Sequence, residues 1–165
     1  MQFSQAIDGM ETLILVASMT GTAEILGEDI LAGIAAGRAT MLLAERADIG
    51  MVRDCSTLLV ISSTYGNGEV PEPAKAFFER LEAEPMPDAN LRFAVIGLGD
   101  KSLYPGTFAN GGRLWDAMLA KKGFDRIVEP LFIDCSAMAD PAEQSIAWVG
   151  SWLDTVSQAS LDETQ

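Results

Sequence analysis

Histidine is missing from this chain altogether. Without it there is no Ser-His or Cys-His dyad, so ordinary nucleophilic catalysis is not the expected chemistry. Cysteine is nearly missing: Cys55 and Cys135 make no Cys-x-x-Cys spacing, which argues against a disulfide framework and against a zinc or haem site. Both are expected as buried thiols, and no metal is expected. No apolar run approaches the ~18 residues of a membrane helix, and residues 1–8 lack the basic and apolar regions of a signal peptide. A soluble, cytoplasmic protein without a membrane partner is the expectation. Positive charge is scarce as well, with 11 Lys and Arg against 24 Asp and Glu, a net charge of −13. That balance argues against nucleic acid and favours docking on basic protein surfaces, although most single carboxylates need serve only solubility. What remains is a chain of 165 residues, long enough for one self-sufficient core. With no repeat, linker or low-complexity stretch, residues 1–165 are read as a single domain.

One further absence is local. The first basic residue is Arg38, far beyond the turn Ser18-Met19-Thr20-Gly21-Thr22-Ala23-Glu24 that follows the apolar run Leu13-Ile14-Leu15-Val16-Ala17. A buried strand leading through small hydroxyl residues and a glycine into a helix is the pattern of an anion site. Any phosphate there must be held by backbone N–H groups and hydroxyls alone. Neither a P-loop, which needs Gly-Lys-Ser/Thr, nor a Gly-x-Gly-x-x-Gly fingerprint is present. A turn whose Thr20 or Thr22 merely caps the helix fits the same residues. The helix is predicted over about Thr22 to Ala36, with Ile25, Leu26, Ile30, Gly33 and Ile34 on its buried side.

Along the chain, residues 40–43 read as a short strand and Glu45 to Cys55 as polar and irregular. Residues 57–62 form a strand, and a helix follows from near Pro71 with Ala74, Phe77, Phe78 and Leu81 at helical spacing. Leu91 to Ile96 is the next strand. A loop then leads to a helix carrying Phe108, Leu114, Trp115, Met118 and Leu119 on one face. Ile127 to Ile133 is read as a last strand whose Pro130 suggests an edge or a bulge. The final helix, from Pro141, carries Ile146, Val149, Leu153 and Val156, with Trp148 and Trp152 packing and 157–165 a frayed polar tail. The alternation predicts an α/β fold: five parallel strands with helices on both faces, a three-layer sandwich.

In a parallel sheet all strand-to-helix loops share one edge, where ligands bind. Loop 18–23 offers anion donors. Loops 63–69 and 97–108 each offer a tyrosine, Tyr65 and Tyr104, beside glycines that permit close approach. An anion cradle flanked by two aromatic loops describes a site for a phosphorylated planar ring.

These residues resemble the flavodoxin family over nearly the whole chain. Ser18-x-Thr20-Gly21-Thr22-Ala23-Glu24 and Ser63-Thr64-Tyr65-Gly66-Asn67-Gly68-Glu69-x-Pro71 are similar to the diflavin-reductase and MioC-like branch. The spacing Gly99-Asp100-x-x-x-Tyr104-x-x-x-Phe108 instead resembles long-chain flavodoxins, although the last strand lacks the insertion that defines them. In the diflavin pattern the stacking position falls on Leu103. The resemblance implies a flavodoxin-like sheet of order 2-1-3-4-5 with FMN at its switch point. It also implies a cofactor site of Ser18, Met19, Thr20, Gly21, Thr22, Ala23, Ser63, Thr64, Tyr65, Gly66, Asn67, Gly68, Leu98, Gly99, Asp100, Tyr104 and Phe108. Tyr65 would cover the inner flavin face and Tyr104, or Leu103 in its place, the outer.

A rotation of the Gly66–Asn67 peptide toward the flavin on the first reduction is implied too. So is a low-potential, one-electron carrier, a monomer docking by an acidic rim around Glu69 and Glu72. Its partners would be a flavin- or iron-sulfur-containing reductase as donor and an oxidoreductase as acceptor. The alternatives are an FMN-dependent NAD(P)H quinone reductase, disfavoured by an expected lack of cations near the three loops, and the FMN domain of a larger diflavin reductase. A binding module that has lost FMN, and a response-regulator receiver without its acidic cluster, complete the set.

Overall fold

The computed structural model describes residues 12–34, 39–87, 89–137 and 140–163; residues 1–8, Ala36, Arg38 and the last two residues of the tail lie outside them. Strand β1 (Thr12–Ala17) is an unbroken apolar and β-branched run, buried at every position, as the centre of a parallel sheet requires. It pairs in parallel with β2 (Ala39–Leu43) on one side and β3 (Thr57–Ser62) on the other. Beyond β3 lies β4 (Arg92–Gly99), so the order is β2-β1-β3-β4 and then β5 (Asp125–Arg126). Ala17 stands beside Ser62, and Ser62 beside Gly97. The loops that leave β1, β3 and β4 therefore emerge side by side.

The expected last strand is divided. Arg92 and Phe93 pair with β5, while Ile96 to Gly99 pair with a separate segment, β6 (Leu131–Asp134). Pro130 lies between the two and has no N–H to give to a ladder. Among the described residues the sheet thus has six strands, although β5 and β6 together occupy one edge position.

Alternation along the strands builds two cores. Leu13, Leu15, Leu58, Val60, Phe93 and Val95 pack against α2 (Ile49–Asp54), α3 (Glu72–Ala83) and α4 (Asn110–Lys121). Ile14, Val16, Leu59, Ile61 and Ile96 pack against α1 (Thr22–Gly33) and α5 (Ala142–Glu163). In the first core Trp115 meets Phe78 edge to face at 4.8 Å, a geometry that adds ~1 kcal/mol beyond the area it buries. In the second, Trp152 is buried and Trp148 packs beside it.

Several local expectations are corrected. The buried stripe of α1 is Ala23, Leu26, Gly27 and Ile30, a spacing that leaves Ile25 outside it, 62% exposed; the helix ends at Gly33. The segment read as irregular holds a 3-10 turn, Ala44–Arg46, and then α2. Helix α2 starts because the Asp48 carboxylate accepts the Met51 N–H at 3.1 Å. Phe108 precedes α4 rather than lying on its face, and Leu114 is exposed. The tail is helical to Glu163: Val156 is buried, and Ser160 Oγ accepts a hydrogen bond from Arg92 Nη1 at 3.2 Å, joining the last turns to β4. Cys55 and Cys135 are half-buried rather than buried.

Candidate functional site

The aligned strand ends open into a cleft of about 590 Å³ lined by residues from four loops, a volume within the range of small-molecule sites. From loop 18–22 come Met19, Thr20 and Thr22; from 63–69, Ser63, Thr64, Tyr65 and Gly66; from 97–109, Leu98, Gly99, Asp100, Tyr104, Thr107, Phe108 and Ala109; from the end of β6, Cys135.

The first loop is shaped by its own residues. The Ser18 hydroxyl accepts the Gly21 N–H at 2.9 Å, and Gly21 enters α1 at φ 98°, where a Cβ is disfavoured. No side chain caps this helix. The N–H groups of Thr22, Ala23 and Glu24 consequently have no hydrogen-bond partner among the described residues, and an anion at this helix end would complete them. Thr20 and Thr22 hold exposed hydroxyls beside them.

The second and third loops are fastened together. Thr64 Oγ1 donates to the Leu98 carbonyl at 3.1 Å and accepts the Gly111 N–H at 3.0 Å. A Cβ on Gly111 would stand 2.2 Å from the Ser63 carbonyl oxygen, so only glycine lets α4 approach this loop. The Asn110 amide donates to the Gly68 carbonyl at 2.6 Å. Tyr65 and Tyr104 rise from these loops, 40% and 55% exposed, and both line the cleft. Leu103 is 69% exposed and does not line it.

Two carboxylates organise the third loop. Asp100 Oδ1 accepts from Ser102 Oγ and from the N–H groups of Ser102 and Leu103. Asp134 Oδ1 accepts from Ser136 Oγ, Ser136 N–H and, across the loop, Lys101 N–H at 3.0 Å. The Ser102 hydroxyl and Leu103 amide hold the Asp100 carboxyl below its ordinary pKa; the Ser136 hydroxyl and Lys101 amide do the same for Asp134. Burial pushes the Cys135 thiol up, which favours its protonated form.

The flavodoxin family model matches residues 14–148. The chain belongs to the flavodoxin family. Flavodoxin YqcA of Escherichia coli K12 is 31% identical over 141 residues, covering 84% of this chain and 93% of that protein. The sulfite reductase (NADPH) flavoprotein alpha-component of Aliivibrio fischeri is 31% identical over 156 residues; 92% of this chain is covered but only 25% of that longer protein. Among solved structures, a cysteine-to-serine mutant of flavodoxin from Pseudomonas aeruginosa superposes with a TM-score of 0.78 at 26% identity, over 87% of this chain and 97% of the other. The sheet order of this flavodoxin, β2-β1-β3-β4-β5, is the one that the family resemblance implies.

Of the residues expected at the site, twelve border the cleft: Met19, Thr20, Thr22, Ser63, Thr64, Tyr65, Gly66, Leu98, Gly99, Asp100, Tyr104 and Phe108. Ser18, Gly21, Ala23, Asn67 and Gly68 do not. Ser18 and Gly21 form the turn, the Ala23 side chain is buried in the core, and the Gly68 carbonyl is bonded to Asn110. Thr107, Ala109 and Cys135 also border the cleft, outside the expected set. Cys135 follows the C-terminal end of β6, so counting that strand end among the ligand loops would have found it. The expected lack of cations fails on the third loop itself: Lys101 Nζ sits 4.8 Å from the centre of the Phe108 ring.

Proposed function

We propose that this flavodoxin-family chain binds FMN in the four-loop cleft as one domain and carries single low-potential electrons between redox proteins. The observation that carries the reading is the set of three unpartnered N–H groups at the start of α1, beside a cleft that Thr20 and Thr22 line together with Tyr65 and Tyr104. This donor set suits a phosphate without any cation, and the two tyrosines on the same cleft suit a planar ring.

The amides of Thr22, Ala23 and Glu24 and the hydroxyls of Thr20 and Thr22 hold the phosphate. Ser18 contributes its hydroxyl proton while its oxygen keeps the Gly21 N–H; the Gly21 N–H is therefore already committed. Tyr65 stacks on the inner flavin face and Tyr104, rather than Leu103, on the outer, by offset stacking. Ser63, Thr64, Leu98, Gly99, Asp100 and Phe108 would border the ring, and Met19, exposed beside Thr20, would border the phosphate. Asn67 and Gly68 act through the shape of the second loop. Bound FMN supplies the one-electron redox chemistry. The chain's net charge of −13, with Asp100 at the cleft, would disfavour negative charge on a ring bound there.

Partner choice follows from charge. Helices α1 and α5 contain no Lys or Arg and carry Glu24, Glu28, Asp29, Glu143, Asp154 and Asp162. In α2, α3 and α4 the signs are mixed, with Arg53, Lys75, Arg80, Arg113 and Lys121 interspersed among acids. A partner with a basic surface is attracted toward the α1 flank of the cleft, where Met19 and Ile25 are exposed beside Glu24 and Glu28. Donor and acceptor are redox proteins of that kind, a flavin- or iron-sulfur-containing reductase and an oxidoreductase, and the carrier works as a cytoplasmic monomer. No described helix is long and apolar enough to cross a membrane.

A second reading, the FMN domain of a larger diflavin reductase, is favoured by the relative that this chain matches over a quarter of its length. The quinone reductase reading has one cation in its favour, Lys101. An absorption spectrum followed by anaerobic stepwise reduction tests the proposal: flavin bands and two resolved one-electron steps are expected. A protein that takes up no FMN overturns it. NADPH oxidation without an added reductase would replace the carrier with an enzyme.

A further inference from the structure

We propose that Asn110, which borders no part of the cleft, is a positioning residue that confines the rotational freedom of the 65–69 turn to one peptide; its redox consequence rests on the FMN reading above.

The turn is closed at its ends by a pair of residues. Tyr65 N–H donates to the Glu69 carbonyl at 2.8 Å, and the Tyr65 carbonyl accepts both Glu69 N–H at 2.7 Å and Gly68 N–H at 3.1 Å. The remaining carbonyl near that end, Gly68, is taken from behind by the Asn110 amide at 2.6 Å. With this bond the Gly68–Glu69 peptide has both its groups engaged, and the Asn67–Gly68 peptide is held by its N–H. The Gly66–Asn67 peptide is different: neither the Gly66 carbonyl nor the Asn67 N–H has a partner among the described residues. Gly66 lies at φ 56°, on the cleft wall. A peptide free at both groups and flanked by a glycine rotates at little cost, provided its neighbours stay fixed.

The fixing is built into the chain behind the turn. Ala109 is the one non-glycine residue with positive φ among the described residues, at 55°, and is fully buried. That conformation is unfavourable for any residue with a Cβ and persists only where its surroundings demand it. It turns the chain into α4 so that Asn110, the first helical residue, meets Gly68. Gly111 then takes Thr64 Oγ1. Removing the Asn110 donor lets the Gly68 carbonyl swing, and rotation spreads over adjacent peptides. The particular arrangement of Gly66 and Asn67 that the first reduction would call for then costs more conformational entropy.

Amide hydrogen exchange on the protein without flavin tests the clamp directly. In the unaltered chain, Asn67 N–H is expected to exchange without protection while Gly68 and Glu69 are slowed; uniform exchange along the turn overturns the proposal. In Asn110→Ala, Gly68 and Glu69 should exchange about fivefold faster, the worth of one neutral hydrogen bond, with Gly21 unchanged. In the FMN-loaded variant the first reduction should become about fivefold less favourable, or about 40 mV at ~59 mV per decade, while FMN affinity changes little. Asn110→Gln, which keeps the donor, should fall nearer the unaltered protein. Equal losses of affinity and potential would mark Asn110 as merely structural and overturn the proposal. If the unaltered protein takes up no FMN, the FMN reading fails with the redox consequence, and exchange alone decides the clamp.

Discussion

On one side of the cleft, loop 18–22 keeps its hydrogen bonds to itself, from Gly21 N–H to Ser18 Oγ and from Ile25 N–H to the Gly21 carbonyl. A Cβ on Gly21 would meet nothing within 4 Å. On the other side, the second loop reaches β4 through Thr64 and α4 through Thr64 and Asn110, with Gly111 in contact with the Ser63 carbonyl. One wall is thus a local turn with donors left open to the cleft, and the other is joined to the body of the fold. The difference matches what each wall must do. On the proposed reading, a phosphate needs free N–H groups, which the fold must not consume, whereas a ring needs Tyr65 and Tyr104 held at a fixed separation.

The largest effect is expected at Gly111. Gly111→Ala places a Cβ against backbone that has no flexible end to give way, so α4 must part from the second loop. Destabilisation of ~3 kcal/mol or more is expected, read by denaturant unfolding of the protein without flavin. A loss below ~1 kcal/mol would show that the two loops are not joined as described. The opposite wall should separate binding from stability. Thr20→Val is expected to weaken FMN by ~1.5–3 kcal/mol, the range for a hydrogen bond to a charged group, and to leave the unfolding midpoint unchanged. Thr64→Val reverses that pattern. It orphans the Leu98 carbonyl and the Gly111 N–H, at a cost to stability of ~1–2 kcal/mol, with affinity falling only as far as the second loop loosens.

The same asymmetry decides how much of each wall is legible in the sequence. The first wall is local, and its sequence, hydroxyls around Gly21 with no cation before Arg38, carries most of its content. The second wall is a set of distant contacts. Nothing in the spacing of Thr64, Asn110 and Gly111 announces that they meet, and Asn110 carries no signal of its own. Helix ends fail for a related reason. The tail from Ser157 is polar by composition, but Arg92 binds Ser160 from 68 residues away, and α2 is short enough that its cap at Asp48 outweighs its polar content. The division of the last strand at Pro130 is legible as a bulge, and only pairing with β4 shows two strands. Between Tyr104 and Leu103, sequence spacing leaves a choice. The cleft takes Tyr104 because the Asp100 carboxylate binds the Ser102 and Leu103 amides and turns Leu103 outward to 69% exposure.

The third loop supplies the smallest effect and a pH signature. Asp134, held below its ordinary pKa first by Ser136 Oγ and then by Lys101 N–H, lends its support in full above the unfolded carboxylate pKa of ~3.9. The sign follows from linkage: a carboxylate with a depressed folded pKa stabilises when ionised, and the contribution is lost as pH falls through that lower value. The Lys101 amide resonance should therefore titrate below pH ~3.9, together with those of Ser102 and Leu103, which answer to Asp100. Gly21, whose acceptor is the Ser18 hydroxyl, should not move over the same range. In Asp134→Asn the Lys101 titration should vanish while those at Ser102 and Leu103 remain, because each carboxylate binds its own set of amides. If all three titrations vanished together, the two carboxylates would act as one unit, and the third loop would be a single rigid staple rather than two.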